Sequence, residues 1–134
     1  MPYTRTFKVF VAHGFDPLDG HYTRFKALLP GLQYMTVVDF GDASAKGGKA
    51  ARMKLLTSQM EGATLVVALS DMYARHGEWL DAAVKAAKEL RKPVLVVRPN
   101  LGGEAPAALA KAATEVIDYK GPKIGDAIKR LAWA

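Results

Sequence analysis

Apolar residues alternate along this chain between two patterns. Short runs that are apolar at nearly every position have the length and β-branched content of strands: residues 7–12 (FKVFVA), 64–69 (TLVVAL) and 93–97 (PVLVV). Residues 33–40, with the run YMTVVDF, read as a further strand, and residues 115–119 as a short fifth one. Between them the spacing becomes helical. Tyr22, Phe25, Leu28 and Leu29 mark one helix, and Met53, Leu56 and Met60 mark a second. An alanine-rich helix over residues 77–90 opens near Trp79. A short helix is expected at 106–112, and Ile124, Ala127, Ile128 and Leu131 line one face of a last one.

Strands that are apolar throughout are buried on both faces, as in a parallel sheet covered by helices. Strand–helix alternation at this spacing implies right-handed crossovers. We therefore expect one domain over residues 1–134: a three-layer α/β sandwich with five parallel strands in the flavodoxin-like order 2-1-3-4-5. In that order the ligand crevice lies outside the carboxyl ends of the strands, near the first and third. His13-Gly14-Phe15-Asp16 and Ser70-Asp71 would meet there, followed by a loop holding Tyr73, Arg75 and His76.

Composition narrows the picture. Half the residues are hydrophobic (50%), enough for a core. The absence of cysteine excludes disulfide and thiolate chemistry and fits a reducing cytoplasm. No apolar run has the length of a membrane span, and the first strand lacks a small-residue cleavage site, so neither membrane nor secretion is expected. The net charge of +6 gathers at Lys46, Lys49, Arg52 and Lys54 and again at Lys85, Lys88, Arg91 and Lys92. These read as solvated helix faces. Without interleaved aromatic residues they offer no stacking platform, so nucleic acid is not the expected partner.

Gly14 permits a tight turn or the close approach of a ligand to the backbone. His13 can donate to a phosphate or ribose and Asp16 can accept from a sugar hydroxyl, or both can satisfy backbone groups of their own loop. The loop is not the GxGxxG of dinucleotide-binding folds. Residues 39–50 (DFGDASAKGGKA) read as a mobile surface loop. They do not make a phosphate loop, because Gly41 stands six residues before Gly47 and Ala50 follows Lys49. Asp16, Asp39 and Asp42, with Asp71, suggest a receiver-type acid pocket, but only Lys120 is available as its lysine. His13, His21 and His76 have no metal-ligand spacing, and no serine sits in a nucleophile elbow, so no metal is expected.

The stretches KVFVAHGFD, ATLVVALSDMYARHGEWL, KPVLVVRPN and TEVIDYKGPKIGDAI, in that order and spacing, resemble the TIR-like family, in particular small bacterial TIR-like proteins of antiphage defence. The resemblance spans nearly the whole chain. It implies a nucleotide pocket at the strand ends, with NAD or a related nucleotide as substrate or ligand, no required cofactor, and a protein partner or a homodimer. Enzymatic members cleave the nicotinamide–ribose bond of NAD⁺ with a glutamate four residues after the tryptophan that opens the helix. Here that position is Ala83. At about 100° per residue, Asp81 points about 200° from the Ala83 direction and Glu78 about 140° from it. An acid at Glu78 also suits a helix first turn. The expectation is a TIR-like domain with His13, Gly14, Phe15, Asp16, Ser70 and Trp79 around a nucleotide, Arg98 on its phosphate, and weak catalysis. The alternative is an active NAD glycohydrolase or cyclase with a displaced acid, Glu78 or Asp81.

Overall fold

Five parallel strands form one sheet in the order β2-β1-β3-β4-β5, as the pattern predicts. They are β1 (Arg5–Val11), β2 (Met35–Asp39), β3 (Leu65–Leu69), β4 (Val94–Val97) and β5 (Glu115–Ile117). The helices between them are α1 (Gly20–Leu28), α2 (Lys49–Glu61), α3 (Tyr73–Glu89), α4 (Ala107–Ala112) and α5 (Gly121–Leu131). The computed structural model describes residues 5–32, 35–39, 41–44 and 46–132. Gln33, Tyr34 and Phe40 of the expected second strand, and Ala45 of the expected mobile loop, lie outside the described residues.

β3 and β4 are buried at every position, because neighbours pair on both sides and helices cover both faces. The register sets Val66 of β3 between Phe10 of β1 and Val94 of β4. β2 and β5 depart from the expectation of burial on both faces. They are edge strands, β2 alternates between buried and exposed, and only Ile117 of β5 is fully covered. α2, α3 and α4 lie side by side on one face. α1 and α5 share the other, where Phe25 meets Tyr119 edge to face. Phe10, Phe25, Leu56, Met60, Leu80, Leu95, Ile124 and Ile128 form the interior of both layers.

Local chemistry sets the helix ends. Asp19 caps α1, its Oδ1 accepting from His21 N at 2.9 Å and Tyr22 N at 3.1 Å. Lys92 Nζ donates to the Glu61 and Ala63 carbonyls at the C-terminus of α2, at 2.9 and 2.6 Å, where a cation suits the helix dipole. α3 begins earlier than expected. The supposed loop around Tyr73 and Arg75 is its first turn, and helical geometry breaks at His76 (φ −128°, ψ 27°) before resuming. At the amino edge of the sheet, Thr64 Oγ1 lies 3.1 Å from both the Lys8 and the Ala132 carbonyls, tying the end of α5 to the start of β3.

Candidate functional site

The β1–α1 and β3–α3 connections meet at the carboxyl edge, where the strand order reverses. The expected crevice between them is filled by the protein's own side chains. His13 is fully buried: its Nδ1 accepts from Phe15 N at 3.2 Å and its Nε2 stands 3.1 Å from Gln59 Oε1. That pattern places the proton on Nε2. Burial lowers the pKa of the ring, and the Gln59 contact offsets this in part. His13 is thus committed to the fold at both nitrogens. Gln59 closes the loop beyond β2 by also accepting from Asp42 N and donating to Asp42 O.

Phe15 takes a left-handed backbone (φ 58°) that turns its ring inward. There it packs edge to face against His13 at 4.7 Å and Trp79 at 4.8 Å, with the Arg52 guanidinium 5.2 Å from its centroid. The two aromatics expected around the nucleotide pack edge to face against one another. Trp79 is half-buried, and its outer side lines a groove of about 320 Å³ between α2 and α3, with Lys49, Met53, Glu78, Asp81, Ala82 and Lys85. Ser70 is buried, and its Oγ has no hydrogen-bond partner among the described residues.

The expected acids lie elsewhere. Exposed Glu78 pairs with Lys49 on α2. Asp81 accepts from the Tyr73 hydroxyl at 3.1 Å through both oxygens. Ala83, the position expected to carry a catalytic glutamate, is fully buried in the core. Arg98 donates to Asp118 at 3.1 Å, two strands from β1, and Asp71 accepts from Asn100 N at 2.9 Å. Asp39 accepts from Val11 N and Gly41 N, holding the ends of β1 and β2 together.

Open space lies to the β2 side. Pro17, Tyr22, Thr23, Lys26 and residues 41–44 line a cleft of about 320 Å³ at the ends of β1 and β2, at the lower limit for a small-molecule site. Lys26 Nζ stands 3.5 Å from Asp39 Oδ2 and 5.0 Å from the centre of the Tyr22 ring. The Tyr22 hydroxyl makes no well-formed hydrogen bond among the described residues, but the Asp39 carboxylate stands near enough to act on it as an acceptor. Burial and then the Asp39 charge raise the pKa of the phenol, so it remains a donor.

Sequence spacing missed one cluster. Asp16, Asp19 and His76 each offer a donor atom within 4.8 Å of the other two. His76 Nε2 stands 3.3 Å from Asp19 Oδ2 and 3.7 Å from Asp16 Oδ2. Gly14 lets the imidazole in, since a Cβ there would fall 2.2 Å from His76 Nδ1.

The fold and these clefts define a doubly wound α/β domain with flavodoxin-like strand order, open at its carboxyl edge. No family model and no curated protein matches the chain. Among solved structures it is similar to the CMP N-glycosidase BcmB of Clostridium botulinum, with a TM-score of 0.55 and 12% identity over 92% of this chain and 98% of that one. It is also similar to a 3-dehydroquinate dehydratase-like protein from Bifidobacterium longum, with a TM-score of 0.46 and 15% identity over 96% and 95% of the two chains. At 12% identity the likeness to BcmB is one of fold. Neither structure bears a TIR-like name.

Proposed function

We propose that this chain is a TIR-like signalling or defence domain that binds a nucleotide of the NAD or ADP-ribose type, or a protein partner, and is catalytically weak. The observation that carries the nucleotide reading is the cleft between Tyr22, Lys26 and residues 41–44. It combines Lys26, a cation that can turn from Asp39 to a phosphate, with a buried phenol whose hydroxyl makes no well-formed hydrogen bond among the described residues. An unsatisfied buried donor gains on meeting a ligand acceptor. This reading moves the phosphate contact from Arg98 to Lys26. A fold-level neighbour is a CMP N-glycosidase, and CMP is a nucleotide, which supports this ligand class.

Weak catalysis follows from Ala83, which has no carboxylate, and from Glu78 and Asp81, whose carboxylates are engaged by Lys49 and Tyr73. An active glycohydrolase or cyclase remains the second reading. It is favoured by Asp16, an acid at the carboxyl edge whose Oδ2 faces His76 instead of the backbone.

The test is calorimetric titration of the chain with NAD⁺, ADP-ribose and CMP, alongside chromatography for released nicotinamide. Saturable binding weakened about ten-fold by Lys26→Ala, with no nicotinamide at high protein concentration, is the expected result. Absence of binding to all three overturns the nucleotide reading. Nicotinamide release abolished by Asp16→Asn overturns weak catalysis and establishes the second reading.

A further inference from the structure

The geometry points to a divalent-cation site formed by Asp16, Asp19 and His76, suited to Zn²⁺ or Mn²⁺. Each carboxylate divides its two oxygens. Asp19 gives Oδ1 to the backbone of α1, and Asp16 gives Oδ1 to Leu18 N at 3.2 Å. Both turn Oδ2 toward His76 Nε2. Carboxylates held at one oxygen and free at the other are oriented as metal ligands usually are.

A second observation is independent of this clustering. The Asp19 side chain is 1% exposed, and its buried Oδ2 has no hydrogen-bond partner among the described residues. His76 Nε2 is likewise buried without a hydrogen bond, although the two atoms are only 3.3 Å apart. An acceptor and a ring nitrogen this close, yet not aligned to bond one another, suit a third body between them. Donors on a tetrahedral ion with bonds of about 2.1 Å lie about 3.4 Å apart. The observed 3.3 and 3.7 Å bracket that value.

The surroundings are shaped around the imidazole. Gly14 lies against the ring where any side chain would collide, and the break in α3 falls on His76 itself. Arg75 is the nearby counter-charge, 4.0 Å from Asp19 Oδ2 on a side chain that is 69% exposed, and it can swing clear when an ion enters. Two carboxylates and one imidazole suit first-row ions better than Mg²⁺ or Ca²⁺, which prefer oxygen alone. Three protein ligands leave coordination positions open toward solvent, as in sites that bind substrate.

The inference is independent of the nucleotide reading, and its test uses metal alone. Chelator-stripped full-length chain is titrated with ZnCl₂ and, separately, MnCl₂, with no nucleotide present. One ion per chain is expected, with a shift of the His76 Nε2 ring resonance on adding Zn²⁺. Asp16→Asn, Asp19→Asn and His76→Gln should each weaken binding about ten-fold or more. Asparagine caps a helix as well as aspartate does, so Asp19→Asn keeps the fold, as circular dichroism will register. The distant carboxylate variant Asp118→Asn should bind as the unaltered chain does. Absence of stoichiometric binding to either ion, binding that survives all three ligand changes, or equal loss in Asp118→Asn overturns the site.

Discussion

A methyl group added at Gly14 tests how the His76 ring is seated. In Gly14→Ala the new carbon falls 2.2 Å from His76 Nδ1, 2.3 Å from Cγ and 2.7 Å from Cβ. Non-bonded carbons settle at about 3.5–4.0 Å, so the ring must retreat by about 1 Å or more. Because the collision includes Cβ, rotating the far end of the side chain cannot relieve it, and the broken turn of α3 has to move. Overpacking of this kind costs about 1–3 kcal/mol. For a domain of this size each kcal/mol lowers Tm by roughly 3–5 °C. Urea denaturation followed by far-UV circular dichroism measures the loss, and an unchanged slope keeps the comparison two-state. The deciding arm is His76→Ala, which removes the obstacle. In that background Gly14→Ala should cost less than about 0.5 kcal/mol, a coupling of the size expected between touching residues. Equal loss in both backgrounds would refute the steric argument and the seating of His76 with it.

Other consequences are open to the same measurements. Asp39→Ala strands the amides of Val11 and Gly41 and should cost about 2 kcal/mol, with Asp39→Asn costing less because it keeps an acceptor; equal denaturation midpoints for the two variants would count against this. Ala83→Glu, which puts a glutamate where the TIR-like resemblance leads one to expect it, places a carboxyl in a fully buried position. It should lower stability by about 3 kcal/mol or more, visible as lost soluble yield and a lower Tm, and gain no NAD⁺ cleavage. Burial lowers the pKa of His13 from its ordinary 6.5, so below that pH the unfolded chain binds the extra proton first. Stability therefore falls as the solution is acidified through 6.5 toward the lowered folded-state pKa, and His13→Gln should flatten that dependence below pH 6.5. An equally steep loss in the variant would assign the effect to another group.

The sheet was readable because its central strands are buried on both faces. Burial on both sides leaves apolar runs such as LVVAL and VLVV that no amphipathic helix produces. The edges were harder: β2 shows one face to solvent, and its pattern is mixed for that reason. The start of α3 was missed because a serine-aspartate pair before Tyr73 reads as a turn, and the break in helical geometry at His76 sits beside Gly77. At the site, sequence placed the residue 13–16 connection at the carboxyl edge, but not the way its side chains face. Nothing in the letters says that Phe15 adopts a left-handed backbone and turns inward to Trp79. The Asp16, Asp19 and His76 cluster escaped because ligand spacing is a local signal, whereas Asp16 and Asp19 follow β1 and His76 lies in α3 beyond β3, neighbours only through the strand order.

The tie from Thr64 to Ala132 has a practical consequence. β1 enters the sheet at Arg5 and α5 ends beside Thr64, both on the amino edge. The Tyr22–Lys26 cleft opens on the opposite edge, about 16 Å away along a five-residue strand. A tether attached beside Thr64 or Ala132 therefore holds the molecule from behind. Immobilised through such a tether on a sensor surface, the chain would present its cleft and its Asp16 loop to the flowing solution, so ligand and metal titrations could be run on anchored protein without the anchor blocking the edge under test.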